Sequence, residues 1–180
     1  MKNTVHKTKK NNIYSTIEEW KYIGTNKIHT TAIISDNVEM GEGNVINPFT
    51  VIGYPGFIRD MEDVKGKIRI GNNNIIGCNV CIMSGSEGIT SIGDNNLIMN
   101  YVNLGHNSEI GNNNEIGART LIAGWVKVGN LNKIKINCTI RNRKILGDDN
   151  IVGMCSSITK DFEVDGWLIY GSPARQVKIK

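Results

Sequence analysis

The sequence predicts an all-β chain wound as a parallel β-helix of about seven coils. Three observations carry that prediction: an aliphatic residue returns every six positions, a small residue follows it four places later, and Gly-Asx pairs return every eighteen. A period of six fits neither an α-helix nor a long alternating strand, but it suits three short flat strands per turn with one hexad each. Three hexads make an 18-residue coil, and residues 18 apart then stack at the ordinary strand spacing of about 4.8 Å.

The aliphatic array begins with Ile28, Ile34, Met40, Ile46 and Ile52 and resumes with Ile70, Ile76 and Ile82. From Ile92 it runs through Ile98, Leu104, Ile110, Ile116, Ile122, Val128, Ile134, Ile140, Leu146 and Val152 to Ile158 without a slip. The small or medium partners, among them Ala32, Thr50, Val80, Val102, Ser108, Val126, Cys138 and Ser156, should fill the narrow interior beside these anchors. Gly93, Gly111, Gly129 and Gly147, each followed by Asp or Asn, define one corner of the prism. Glycine and asparagine tolerate left-handed backbone at a tight bend, so that corner is expected to use it there.

The chain divides accordingly. Residues 1–27 read as a basic tail and a short capping helix, in which Ser15-Thr16-Ile17-Glu18 forms a capping box and Gly24 ends the helix. Residues 28–163 form the β-helix, with loops at 54–67 and 84–91 where the step of six is broken. Residues 164–180 close it.

The totals exclude several classes. The formal charge is +4, and Lys2, Lys7, Lys9 and Lys10 crowd into the first ten residues, so no basic stripe for nucleic acid remains. No apolar run approaches the roughly 18 residues that cross a bilayer, and no secretion signal is visible, so a cytoplasmic protein without membrane partners is expected. Cys78 and Cys81 form a C-x-x-C, but no second thiol pair or nearby histidine completes a metal set, and no metal is expected.

One position stands out chemically. Of the three histidines only His106 lies in the long array, third in the hexad Leu104-Gly105-His106-Asn107-Ser108-Glu109 and therefore outside the prism. Successive steps of 18 lead to Gly124, Asn142 and Lys160, so a base, a bare backbone and a cation should share one column. An N–H beside an imidazole is what deprotonation of a nucleophile and stabilisation of an oxyanion require. Lys160 would suit a phosphate higher in the column.

These residues carry a resemblance. Leu104-Gly105-His106-Asn107-Ser108-Glu109-Ile110-Gly111, Ala123-Gly124 and the closing Gly171-Ser172-Pro173-Ala174-Arg175 resemble the hexapeptide-repeat acyltransferase superfamily. The first part is similar to acyltransferases of lipid A biosynthesis, and the closing motif to sugar O- and N-acetyltransferases. The resemblance implies a left-handed coil, a homotrimer with its site between neighbouring prisms, and acetyl-CoA as donor without a metal. It implies a sugar or nucleotide-linked sugar as acceptor, His106 as general base and Gly124 N–H as oxyanion donor. Ala123, Gly124, Asn142, Lys160, Ser172 and Arg175 would hold the donor, and Glu87, Asn103 and Asn107 the acceptor, with Glu87 open between holding sugar hydroxyls, orienting the imidazole and being a solvated loop carboxylate. Asn107 stands where many relatives have Asp, and Trp125 where the first lipid A enzyme has a histidine, which points away from a long acyl chain.

Two further acyl-transfer and binding alternatives stay open: an acyl-carrier-protein-dependent enzyme of the lipid A type, and a non-catalytic β-helix binding module. A γ-class carbonic anhydrase shares the fold but needs three histidines around zinc, and His6 and His29 lie too far along the chain from His106 to supply them.

Overall fold

The computed structural model describes residues 19–55, 66–86 and 88–177. They form a three-sided parallel β-helix whose faces hold ten, six and seven strands. Face A contains the strands Asn26–His29, Val45–Ile46 and Ile75–Ile76 and continues to Leu168–Gly171. Face B runs from Ile33–Ile34 to Ser157–Ile158, and face C from Val38–Met40 to Ile145–Leu146.

Each hexad contributes a strand of about two residues and a corner. The aliphatic anchor points inward, and all anchors but Ile34 and Met40 are buried. Burying one isoleucine of this kind stabilises by about 1.5–3 kcal/mol, so the stacked anchors are the main favourable contribution. Between coils the register is 18, as in Asn103 against Leu121 and Leu121 against Thr139. It rises to 30 between Val38 and Ile68 and to 22 between Arg69 and Ser91. Two coils therefore carry insertions of 30 − 18 = 12 and 22 − 18 = 4 residues.

Two sequence expectations change in detail. The corner glycines do not themselves adopt the left-handed conformation; the residue two places later does, at Asn95, Asn113, Leu131 and Asp149. Glycine suits position 93 for a different reason, since a Cβ there would meet the Asn112 side-chain oxygen and, at 2.8 Å, the Gly111 backbone oxygen. Each Asx oxygen caps the backbone N–H of the coil beneath, as Asn112 does for Asp94 and Asn130 for Asn112. The interior also holds a column of asparagines, which the pattern of small residues does not include. Asn26, Asn44, Asn74, Asn96, Asn114, Asn132 and Asn150 are all buried. Asn96 Oδ1 accepts from Asn114 N at 2.9 Å, and Asn114 Nδ2 donates to Gly129 O at 2.9 Å, a pattern that recurs along the column. The buried amides of the column are thereby hydrogen-bonded, consistent with the rule that buried polar groups are paired.

The N-terminal boundary also differs from expectation. Trp20–Ile23, assigned to the capping helix, forms a strand that pairs antiparallel with Asn26–His29. The capping-box residues Ser15 to Glu18 lie outside the described residues. Trp20, Tyr22 and Ile23 are aromatic and β-branched residues that favour a pleated surface, and the hairpin lets Trp20 cover His29 with ring centroids 5.2 Å apart. A second antiparallel hairpin, Leu168–Gly171 with Ala174–Val177, ends face A at the other terminus.

Candidate active site

The corner between faces B and C collects the predicted residues. The face B strands Cys81–Ser84, Asn103–Leu104, Leu121–Ile122, Thr139–Ile140 and Ser157–Ile158 pair in sequence, with Asn103, Leu121, Thr139 and Ser157 in register. His106, Gly124, Asn142 and Lys160 each follow by the same number of residues, so they stack at that corner. The interior of the His106 hexad is filled by Leu104 and Ser108, both fully buried, and the imidazole stays outside and half-buried.

Two contacts hold the imidazole, and the backbone and the space left by Gly124 fix its place. Nδ1 lies 2.9 Å from Asn107 Oδ1. The Trp125 indole meets the ring edge-on, with centroids 4.3 Å apart and planes at 81°. Trp125 N donates to His106 O at 3.0 Å, fixing one coil on the next. A Cβ on Gly124 would lie 2.9 Å from Nε2 and 3.0 Å from Cε1, so the imidazole occupies the space that glycine leaves.

The Gly124 N–H is uncommitted. At the neighbouring corner the equivalent N–H groups of Asn72, Asp94 and Asn112 are each capped by an Asx oxygen of the coil above. Among the described residues nothing accepts from Gly124 N, because Asn142 above it does not perform that capping. A backbone donor without a partner beside Nε2 is available to a developing negative charge.

Asn107 is held from beneath. Its backbone is left-handed at φ 59, and its N–H donates to Thr90 Oγ1 at 2.8 Å. Its Oδ1 accepts from Ser86 N at 2.9 Å and from Ser86 Oγ at 2.8 Å. Above the site, Arg143 places its guanidinium 4.5 Å from the Trp125 ring centroid. Lys144 pairs with Asp161 at 3.3 Å, and the Ile145 N–H and then Lys144 hold the Asp161 carboxyl below its usual range. Arg141, Arg143 and Lys160 are exposed cations at the top of the column.

Not every predicted residue comes to this corner. Ser172 and Arg175 belong to the hairpin that ends face A, the side of the prism opposite the B–C corner, so within one chain they lie away from His106. The closing motif extends face A because Leu168 continues the register of Ile151. Ala123 follows its strand at the corner with its N–H committed to Ile140 O at 3.1 Å. Asn103 lies on face B one residue before the buried Leu104. Glu87 lies outside the described residues. Ser86, Thr90, Trp125 and Arg143 had no assigned place in the site. Trp125 and Arg143 follow the column by position, one residue after Gly124 and Asn142, and both adopt left-handed backbone, at φ 56 and φ 60.

All four cysteines are free, and burial pushes the Cys81 and Cys138 thiols up. Among the described residues no group of three His, Cys, Asp or Glu side chains is placed to hold a metal, and no helix is long and apolar enough to cross a membrane.

The pattern described as "Bacterial transferase hexapeptide (six repeats)" matches residues 89–124, the coils that carry His106 and Gly124. The chain is a hexapeptide-repeat β-helix. Over 98 residues this β-helix is 40% identical to acyl-[acyl-carrier-protein]–UDP-N-acetylglucosamine O-acyltransferase of Thermodesulfovibrio yellowstonii, covering 50% of the chain and 36% of the relative. Over 150 residues it is 30% identical to UDP-3-O-acylglucosamine N-acyltransferase of a Caulobacter species, covering 82% of the chain and 43% of the relative. The chain spans about a third to a half of the length of these relatives. A UDP-N-acetylglucosamine acyltransferase from Bacteroides fragilis superposes with a TM-score of 0.82 at 27% identity, over 87% of the hexapeptide-repeat chain and 62% of the other.

Proposed function

We propose that this chain is an acyltransferase that moves an acyl group from a carrier thioester to a hydroxyl or amino group of a nucleotide-linked sugar. The observation that carries the reading is His106 Nε2 lying over the bare Gly124, whose N–H has no acceptor among the described residues. Nε2 takes the proton from the acceptor hydroxyl as its oxygen attacks the thioester carbon. The Gly124 N–H stabilises the resulting oxyanion. The carbon–sulfur bond then breaks, and the departing thiolate takes the proton from the imidazolium. Geometry and register support these roles, and the match over residues 89–124 falls on the same two coils.

The donor is revised. The name of the Thermodesulfovibrio relative specifies an acyl carrier protein and a UDP-sugar, which favours acyl-carrier-protein thioesters over the acetyl-CoA expected from the closing motif. Arg141, Arg143 and Lys160 suit the anionic groups of either donor, and Trp125 beside the base favours a short acyl chain. We further propose a homotrimer. The outward residues of face B, Ile33, Val51, Cys81, Asn103, Leu121, Thr139 and Ser157, include no charge, whereas face C carries the ion pairs Lys67–Glu39 and Lys127–Glu109. An uncharged face with exposed Ile33 and Leu121 is suited to self-association.

The test is to incubate the protein with acyl carrier proteins loaded with short and long chains, or with acetyl-CoA, and a panel of UDP-sugars. Thiol release that requires a UDP-sugar, and that disappears in His106→Ala, supports the reading. Absence of transfer from every donor refutes it and favours a binding module.

A further inference from the structure

We infer that Ser86 is a positioning residue that selects the proton-bearing nitrogen of His106 by holding the Asn107 amide in one of its two orientations. The inference rests on the reading of His106 as a base. An asparagine beside a histidine is ambiguous, because its amide presents an acceptor at one end and a donor at the other. If Nδ2 faced Nδ1, the imidazole would carry its hydrogen on Nε2 and have no lone pair to offer the acceptor. Where an orienting group presents the wrong end to a catalytic histidine, turnover falls by about 10⁴-fold.

The structure resolves that ambiguity through Ser86. A backbone N–H can only donate, so the Asn107 atom 2.9 Å from Ser86 N is the oxygen. The Ser86 hydroxyl donates to the same oxygen at 2.8 Å. That oxygen also lies 2.9 Å from His106 Nδ1, and two lone-pair atoms at that distance would repel, so Nδ1 carries the hydrogen. Nε2, the nitrogen over Gly124, is left with its lone pair.

Three features make the clamp specific to its place. Ser86 is nine-tenths buried, its residual exposure being 7%. It lies in the coil whose four-residue insertion follows the face B strand Cys81–Ser84. Thr90, fully buried in the following strand Ile89–Ile92, fixes the Asn107 backbone through the 2.8 Å bond to its N–H, so only the amide rotation is left for Ser86 to decide. A carboxylate at 107 would need no such help, since both of its oxygens accept. The four-residue insertion thereby supplies what an asparagine needs to act where an aspartate would act unaided.

The experiment is nitrogen-15 NMR of the full chain labelled at histidine, with His106 assigned by its loss in His106→Gln. The nitrogen shifts distinguish a protonated Nδ1 from a protonated Nε2 and need no enzymatic activity. At a pH where the ring is neutral, the wild type should show Nδ1–H. Ser86→Pro removes the backbone donor and should move the signal toward Nε2–H, with turnover falling at least tenfold. Ser86→Pro combined with Asn107→Asp should restore Nδ1–H and recover turnover. Ser86→Ala keeps the N–H and should keep Nδ1–H. A wild-type ring protonated on Nε2 overturns the inference whatever the variants do, and so does a folded Ser86→Pro protein that retains Nδ1–H. Nδ1–H in a protein that transfers no acyl group leaves the clamp standing and overturns the proposed reaction instead.

Discussion

Gly124→Ala is the substitution with the most direct reading in rate. The added methyl would sit 2.9 Å from His106 Nε2, where ordinary contact begins at 3.4 Å, so the imidazole must retreat by about 0.5 Å. Retreat is opposed on one side by the Trp125 indole, edge-on with centroids 4.3 Å apart, and on the other by the Asn107 oxygen at 2.9 Å from Nδ1. The ring must therefore stretch a hydrogen bond or lose its aromatic contact. A misplacement of about 1 Å costs about 10²-fold in rate, so a loss of roughly 10- to 100-fold in kcat is expected from this shift. The glycine backbone is not left-handed, so alanine is allowed there, and the remaining tight contact, 3.1 Å to His106 O, asks the backbone to give by only a few tenths of an ångström, so the protein should fold. The assay is thiol release from acyl-carrier-protein thioester at saturating acceptor, with the melting temperature recorded alongside. Wild-type kcat in the alanine variant would refute the placement of Nε2 over Gly124 as the reacting arrangement.

His106→Ala should lower transfer to a hydroxyl by about 10²- to 10⁴-fold, and the loss of its ring contact with Trp125 should cost no more than about 1.5 kcal/mol by chemical denaturation. Asn114→Ala should be far more damaging to stability than to chemistry. It strips Asn132 N and Gly129 O of their partners, and two orphaned buried groups cost about 2–6 kcal/mol, measurable as a lower denaturation midpoint. The Asp161 carboxyl, held low by the Ile145 N–H, contributes stability that is present above its unfolded pKa and lost as pH falls through its folded value. Protection of the Ile145 and Phe162 amides, taken relative to their intrinsic exchange rates at each pH, should therefore fall on acidification below the usual aspartate range while that of Ile116 does not. Cys155, exposed, should react with a thiol reagent in the native protein, and Cys138, buried, only after unfolding.

The repeat was legible because its signal is redundant. Ile92 through Ile158 state the same fact at every hexad, so no single residue had to be interpreted correctly. The column of His106, Gly124, Asn142 and Lys160 followed from that period by addition. The asparagine column was harder to see, since asparagine at Asn96, Asn114 and Asn132 reads as a surface residue until each side chain is given a backbone above and below to bond. The N-terminal strand was missed because a capping-box spacing at Ser15 to Glu18 competed with the β-favouring Trp20, Tyr22 and Ile23, and pairing with Asn26–His29 settled that contest. Ser86 could not be found by counting at all. The four-residue insertion takes it out of the 18-residue phase, and only the closed coil brings it to Asn107.

Both insertions leave the solenoid at the same corner, one after Val51–Pro55 and the other after Cys81–Ser84, in the two coils beneath His106. The anchors on either side return to phase after each, because a stack of flat coils constrains where a loop starts and ends and not how long it is. The architecture thus separates two kinds of change. The lower insertion can change in length and composition without disturbing the coils that fix the imidazole over Gly124, whereas the upper one is held to its role by Ser86, which clamps Asn107. A descendant with a different acceptor would need new loops and no new scaffold.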